Sequence, residues 1–203
     1  MTLRRFLDCV RRPVHTLRLV SYKLYEMRHP DEPWISQGAI RFCDAHLKRG
    51  QTGLEWGSGR STRWYAERLG KLLSIEFDPA WHSKVVRGIK ECSNVECRFI
   101  ALDHPLDQPT VRDYDPVPSY VAAADEFPDS SLDFVVVDGH YRLACVRQVL
   151  AKIKPGGLLL IDNTDWAPLP EWGVPPTWPV VHQSSNVMTQ TTIWRKPDIP
   201  QGV

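Results

Sequence analysis

The stretch Glu55-Trp56-Gly57-Ser58-Gly59-Arg60-Ser61-Thr62, with the acid Glu76 lying 17 residues after Gly59, carries the clearest chemistry in this sequence. Glycines in such a turn let the backbone bend sharply and approach a ligand closely. The helix that follows opens with free N–H groups. A carboxylate ending the next strand can accept both hydroxyls of a ribose. A dinucleotide fingerprint would place a third glycine where Thr62 stands, and the charge of Glu55 would repel a pyrophosphate. The same charge suits a ligand bearing an ammonium or sulfonium group. A second cluster, Asp138-Gly139-His140 and Asp162-Asn163, closes two aliphatic runs, Phe134–Val137 and Leu158–Ile161. A histidine, with its reference pKa near 6.5, suits removal of a proton from an oxygen or nitrogen nucleophile at neutral pH.

These residues need elements to hold them. Short apolar runs alternate with helical stretches from residue 53 to 162. Strands are expected near Leu54–Trp56, Leu72–Ile75, Val95–Leu102, Leu132–Val137 and Leu158–Ile161. Near-continuous aliphatic strands are buried on both faces, as in a parallel sheet. Their alternation with helices predicts an open, mostly parallel α/β sheet with helices on both faces. Asp78-Pro79 reads as a helix cap followed by proline at the first helical position, with that helix reaching about Cys92. Leu143, Val146, Leu150 and Ile153 share a helical face, which Pro155-Gly156-Gly157 would end. Residues 163–179 hold five prolines and three tryptophans and read as a rigid loop. Val180–His182 and Thr191–Arg195 pair as a C-terminal antiparallel hairpin. Ahead of the sheet, Leu3, Phe6 and Val10 share one helical face, Leu17, Leu24 and Met27 another, and Ser36 caps a third helix ending at Gly50. The 203 residues form one domain, with N-terminal helices to about residue 50 and the ligand-binding core beyond.

Composition narrows the partners. Apolar residues make up 42% and charged residues 24%, ordinary for a globular chain. No apolar run nears the roughly 20 residues of a membrane span, so no integral membrane association is expected. Net charge is only +1, which argues against a general nucleic-acid binder. Yet residues 1–30 carry seven Lys/Arg against two Asp/Glu. That basic start is a solvated face, or it touches an anionic surface, an acidic partner or, through Leu17, Leu24 and Met27, a second copy in a homodimer. Five cysteines without a C-x-x-C pair or a secretory signal read as reduced thiols in a cytoplasmic protein.

The E-W-G-S-G-R-S-T turn, S-I-E-F-D at the second strand, F-V-V-V-D-G-H at the fourth and K-P-G-G-L-L-L-I-D-N at the fifth follow one another over residues 53–163. In that order and spacing they resemble the class I S-adenosylmethionine-dependent methyltransferases. The resemblance implies a Rossmann-like sheet with S-adenosylmethionine at the turn. Glu55 and the backbone of Gly57, Ser58 and Gly59 would surround its methionine part, and Ser61 or Thr62 would add a hydroxyl contact or cap the helix. Glu76 would hold the ribose, Phe77 would lie beside the adenine, and Asp103 would reach the adenine amino group. His140 is then a base or an adenine contact, with Asp138 and Asp162 orienting the reacting groups. Asp138, Asp162 and Asn163 are also similar to the Mg²⁺ ligands of catechol- and caffeoyl-CoA-type O-methyltransferases. Those enzymes have a lysine shortly after the first aspartate, where Arg142 is the nearest cation here. The expectation is therefore transfer without an obligatory metal. Trp56 and Trp64 read as core. Trp166, Trp172 and Trp178 form either an aromatic wall for a small-molecule acceptor or a loop packed on the sheet edge. Two other functions stay open: an NAD-dependent oxidoreductase of similar topology, and a non-catalytic domain that keeps the fold for interaction.

Overall fold

The computed structural model describes residues 13–104 and 113–198; the expected first helical face, Leu3–Val10, lies outside them. Strands β1 (Thr52–Trp56), β2 (Lys71–Glu76), β3 (Val95–Phe99), β4 (Leu132–Val137) and β5 (Ile153–Ile161) run parallel. Strands β6 (Val180–Ser185) and β7 (Gln190–Arg195) form the antiparallel hairpin, with β7 against β5. The seven-stranded order is β3-β2-β1-β4-β5-β7-β6, so the order reverses between β1 and β4. Ligands of open α/β sheets bind at that reversal, beyond the carboxyl ends of the strands.

Each strand feeds two cores because successive side chains point to opposite faces. Val135 and Val137 join Leu54, Trp56, Leu159 and Ile161 on one side, beneath helix α6 (Arg142–Val149). Phe134 and Val136 join Leu158 and Leu160 on the other, beneath α2 (Gln37–His46) and α3 (Arg60–Ala66). Trp56 and Trp64 are core, as expected, and the Trp56 indole donates to the Tyr120 carbonyl at 2.8 Å, so its polar edge is satisfied. Helix α1 (Pro13–Arg28) leads through a Pro30–Pro33 break to α2, which Ser36 caps by accepting from the Ala39 N–H. Asp78 caps α4 (Pro79–Gly88) through the Trp81 N–H, and a single helical turn, α5 (Ser119–Ala122), precedes β4.

Several elements differ from the sequence reading, and α2 (ending at His46, not Gly50) and β3 (ending at Phe99, not Leu102) are shorter than expected. Pro155-Gly156-Gly157 does not stop a helix. It lies inside β5, where the pairing with β4 shifts register, and Ile153 already pairs with Leu132. Proline and a left-handed Gly156 (φ 75°) are tolerated in a strand at such an irregularity. The α4 helix also stops at Gly88, short of Cys92. No described helix is long and apolar enough to cross a membrane.

Candidate active site

The carboxyl ends of β1, β2, β4 and β5 meet at one edge of the sheet. Gly57 follows β1 with φ 94°, and a Cβ there would stand 2.6 Å from the Asp138 carbonyl oxygen. A Cβ on Gly139 would overlap the Tyr120 hydroxyl. These two glycines let the ends of β1 and β4 approach across the reversal. The next residues are strained as well: Tyr141 (φ 51°) and Asn163 (φ 59°) are left-handed without being glycine. Such conformations cluster where a fold presents functional groups.

The turn is closed by its own hydrogen bonds. The Gly57 and Ser58 N–H groups both donate to the Ile75 carbonyl, and the Gly59 N–H donates to the Thr62 hydroxyl. Gly57, Ser58 and Gly59 therefore offer a ligand a close-fitting backbone surface rather than free donors. Glu55 lies beneath them and not in the cleft. It faces Ser74 across the β1–β2 pair and is fully buried. Its carboxylate accepts from the hydroxyls of Ser61 at 2.6 Å, Thr62 at 2.7 Å and Ser74 at 2.6 Å. Burial pushes the Glu55 carboxyl up to about 7, against the pull of those hydroxyls. Glu55 and Thr62 thus brace the turn from below, with Thr62 as its cap, while Ser61 also reaches the cleft.

Glu55 should make stability depend on pH. Its carboxyl titrates near 4.5 in the unfolded chain and about 7 in the folded one. The folded state then holds the proton longer, so this contribution is complete below about 4.5 and is lost as pH rises through 7. Between pH 5 and pH 8 the protein is expected to lose about 2–3 kcal/mol relative to Glu55→Gln. Urea unfolding of both proteins at the two pH values measures this, and parallel pH dependences would remove the assignment.

A cleft of about 800 Å³ opens on this edge, lined by Gly57–Ser61, Glu76–Asp78, Trp81, Asp138–His140, Arg142 and Trp166, among others. Glu76 ends β2 with one carboxylate oxygen fixed by the Phe77 and Asp78 N–H groups, each at 2.9 Å. Burial raises its pKa, opposed by those two donors. Phe77 packs edge-on to His140, with ring centroids 4.2 Å apart. Asp103 is exposed and stands outside the cleft, its carboxylate accepting from the Ser119 N–H at 2.7 Å and from its hydroxyl.

A second cavity of about 620 Å³ adjoins the first and shares Trp34, Arg60 and Asp138 with it. Its other walls are Tyr22, Lys23, Glu26 and Met27 of α1, with Asp162, Asn163, Met188 and Thr189. Asp138 faces both spaces, whereas His140 lines only the first. Asp162 is buried, with its oxygens accepting from Thr191 at 2.5 Å and Thr189 at 2.7 Å. Burial raises both aspartates: Asp138 against the pull of Arg142, Asp162 against the two threonine hydroxyls.

Arg142 fastens the two strand ends together. Its buried guanidinium donates to the Gly139 carbonyl at 3.0 Å, the Asp138 carbonyl at 3.1 Å, the Asp138 carboxylate at 3.0 Å and the Asp162 carbonyl. It also lies 4.6 Å from the centre of the Trp166 ring. This arrangement does not fit Mg²⁺ on Asp138, Asp162 and Asn163. The Arg142 guanidinium already occupies the space between the strand ends, and both Asp162 oxygens accept from threonine hydroxyls. Magnesium needs such oxygens free at near-octahedral positions. Among the described residues no group of three His, Cys, Asp or Glu is placed to hold a metal ion.

Sequence reasoning missed Trp34, Trp81 and Arg60 as site residues, whereas a cover from the N-terminal segment on the acceptor side was an expectation from the sequence. Trp81 was detectable from its place three residues beyond the Asp78 cap, which turns it toward the preceding loop; its indole donates to the Ser58 carbonyl at 2.7 Å. Nothing in the local sequence around Trp34 brings it to the strand ends. The C-terminal tryptophans divide: Trp172 and Trp178 are buried in the core, and Trp166 is 53% exposed on the cleft wall.

No family model matches the chain, and no curated protein matches its sequence. Solved structures do. A methyltransferase from Geobacter sulfurreducens is 11% identical with a TM-score of 0.57, over 88% of this chain and 88% of that one. The fold is that of the class I methyltransferases. An rRNA methylase from Streptococcus thermophilus is 13% identical with a TM-score of 0.56, over 82% of this chain and 100% of that one. An RNA methyltransferase from Salinibacter ruber, crystallised with S-adenosyl-L-homocysteine, is 16% identical with a TM-score of 0.53, over 84% and 97%. A methyltransferase fold is thus common to chains with little sequence in common, and the features that place this chain in it are the sheet order and the terminal hairpin.

Proposed function

We propose that this protein transfers the methyl group of S-adenosylmethionine to an oxygen or nitrogen of a small-molecule acceptor. The observation that carries the reading is the junction of the two cavities at Asp138, at the ends of β1, β4 and β5. The larger space suits the donor. Gly57–Gly59 provide a surface without side-chain bulk, Glu76 stands where two ribose hydroxyls would be held, and Phe77 and His140 flank a flat base. When bound, S-adenosylmethionine supplies an electrophilic methyl carbon on a sulfonium. The protein's own work is then positioning and proton removal. Trp34, Arg60 and Asp138 line both spaces, and of these Asp138 carries the carboxylate, its side chain 28% exposed. Asp138 is the carboxylate placed to take the acceptor's proton, and Arg142 holds it in place. The second cavity is a shallow, open one, and its apolar walls Tyr22, Met27, Trp34 and Met188 suit an acceptor with an apolar portion.

Titration calorimetry with S-adenosylmethionine and with NAD, followed by a transfer screen using labelled methyl donor, tests this reading. Binding of S-adenosylmethionine and label in small molecules are expected. Binding of NAD alone would point to the oxidoreductase alternative. Donor binding with no labelled product from any acceptor would favour the non-catalytic one, and label entering RNA instead would replace the acceptor class.

A further inference from the structure

Helix α1 presents an apolar stripe that is exposed among the described residues. Leu17, Val20, Leu24 and Met27 are 70%, 52%, 46% and 78% exposed. At 100° per residue the four fall within an arc about 80° wide, one side of the helix. The other side is anchored. Tyr22 is buried, its hydroxyl donates to Glu26 at 3.1 Å, and Arg60 of α3 lies 3.8 Å from the same carboxylate. Exposed apolar residues grouped in this way mark an interaction surface. The stripe is continuous with the second cavity, because Met27 lines its wall beside two further exposed apolar residues, Trp34 (53%) and Met188 (57%).

Charge identifies the occupant. Lys23 and Arg28 are exposed on the two borders of the stripe, and residues 1–30 carry seven basic against two acidic side chains. Glu26, the acid of α1, is mostly covered and accepts from Tyr22 and from Lys23 at 2.6 Å, with Arg60 at 3.8 Å, while Lys23 itself stays 63% exposed. A second copy docking through the same stripe would bring these cations against one another. A nucleic acid would use the cations and leave the aliphatic stripe in water. An anionic lipid surface satisfies both, with apolar side chains in the interface and basic ones at the headgroups. We propose that α1 seats the protein on an anionic bilayer, with the mouth of the second cavity at the lipid surface. The docking stands independently of the methyl-transfer reading; that the cavity then draws an amphipathic acceptor from the bilayer rests on that reading.

Sedimentation with sucrose-loaded vesicles tests the docking, using phosphatidylcholine alone or an equal mixture with phosphatidylglycerol. The full chain is expected to bind the mixed vesicles at least about tenfold more strongly than neutral ones, and less strongly as salt is raised. The double variant Val20→Glu, Leu24→Glu changes only exposed positions of the stripe that line neither cavity. It should lose at least about tenfold of vesicle binding while keeping its circular dichroism and its donor affinity. Absence of vesicle binding, or equal binding by the variant, overturns the docking. So does a concentration-dependent dimer, or RNA binding, that the variant abolishes while vesicle binding stays unchanged. Vesicle binding needs neither donor nor acceptor, so its failure leaves the methyl-transfer reading untouched, and a failed donor titration leaves the docking untouched.

Discussion

Replacing Asp138 by Asn is expected to lower turnover at saturating donor by roughly 10²–10⁴, the range for loss of a general base. The substitution is chosen to separate chemistry from structure. The amide oxygen can still accept from Arg142, which donates to Asp138 at 3.0 Å and to the neighbouring carbonyls, so the clamp between β4 and β5 survives. Donor affinity should therefore stay within a few-fold. The pH profile gives a second readout. Burial raises the Asp138 carboxyl against the pull of Arg142, and only its deprotonated form can accept a proton. The rate is expected to rise with pH through an apparent pKa above the ordinary carboxylate range, and that limb should disappear in the Asn variant. His140→Ala is the control. His140 packs on Phe77 in the larger cleft, so its loss should act mainly on donor affinity. Full turnover in Asp138→Asn together with collapse in His140→Ala would return proton removal to the histidine.

Glu76→Ala is expected to weaken S-adenosylmethionine binding by at least about 10²-fold. One oxygen of this carboxylate is held by the Phe77 and Asp78 N–H groups, which aims the group from the end of β2 into the cleft. Two charge-assisted hydrogen bonds to ribose hydroxyls, each about 1.5–3 kcal/mol, would be lost together. A ligand lacking the ribose hydroxyls should bind wild type and variant alike. Donor affinity left unchanged by Glu76→Ala would remove the residue from the site.

Much of this was legible in the sequence because it is local or periodic. Aliphatic strands alternating with helices between 53 and 162 dictated a parallel sheet, since such runs are stable only when both faces are covered. The acid at the end of β2, the glycine turn after β1 and the acids after β4 and β5 then had to share one edge, because parallel strands end on the same side. The roles within that edge were not legible. Glu55 and Glu76 are both acids at strand ends, but β1 pairs Glu55 with Ser74 and packs it under α3, while Glu76, two residues past Ser74, reaches the cleft. Asp138 and Asp162 look alike in sequence. Two threonines from the distant β7 side consume Asp162, and Arg142 leaves Asp138 open to both cavities. The Pro-Gly-Gly stretch read as a helix stop because its strand partner lies elsewhere in the chain. The α1 stripe was visible as a pattern, but a helical pattern does not say which side of the helix is buried. Tyr22 and Glu26 face the fold and leave the aliphatic side in water, a choice made by long-range packing that no local propensity encodes.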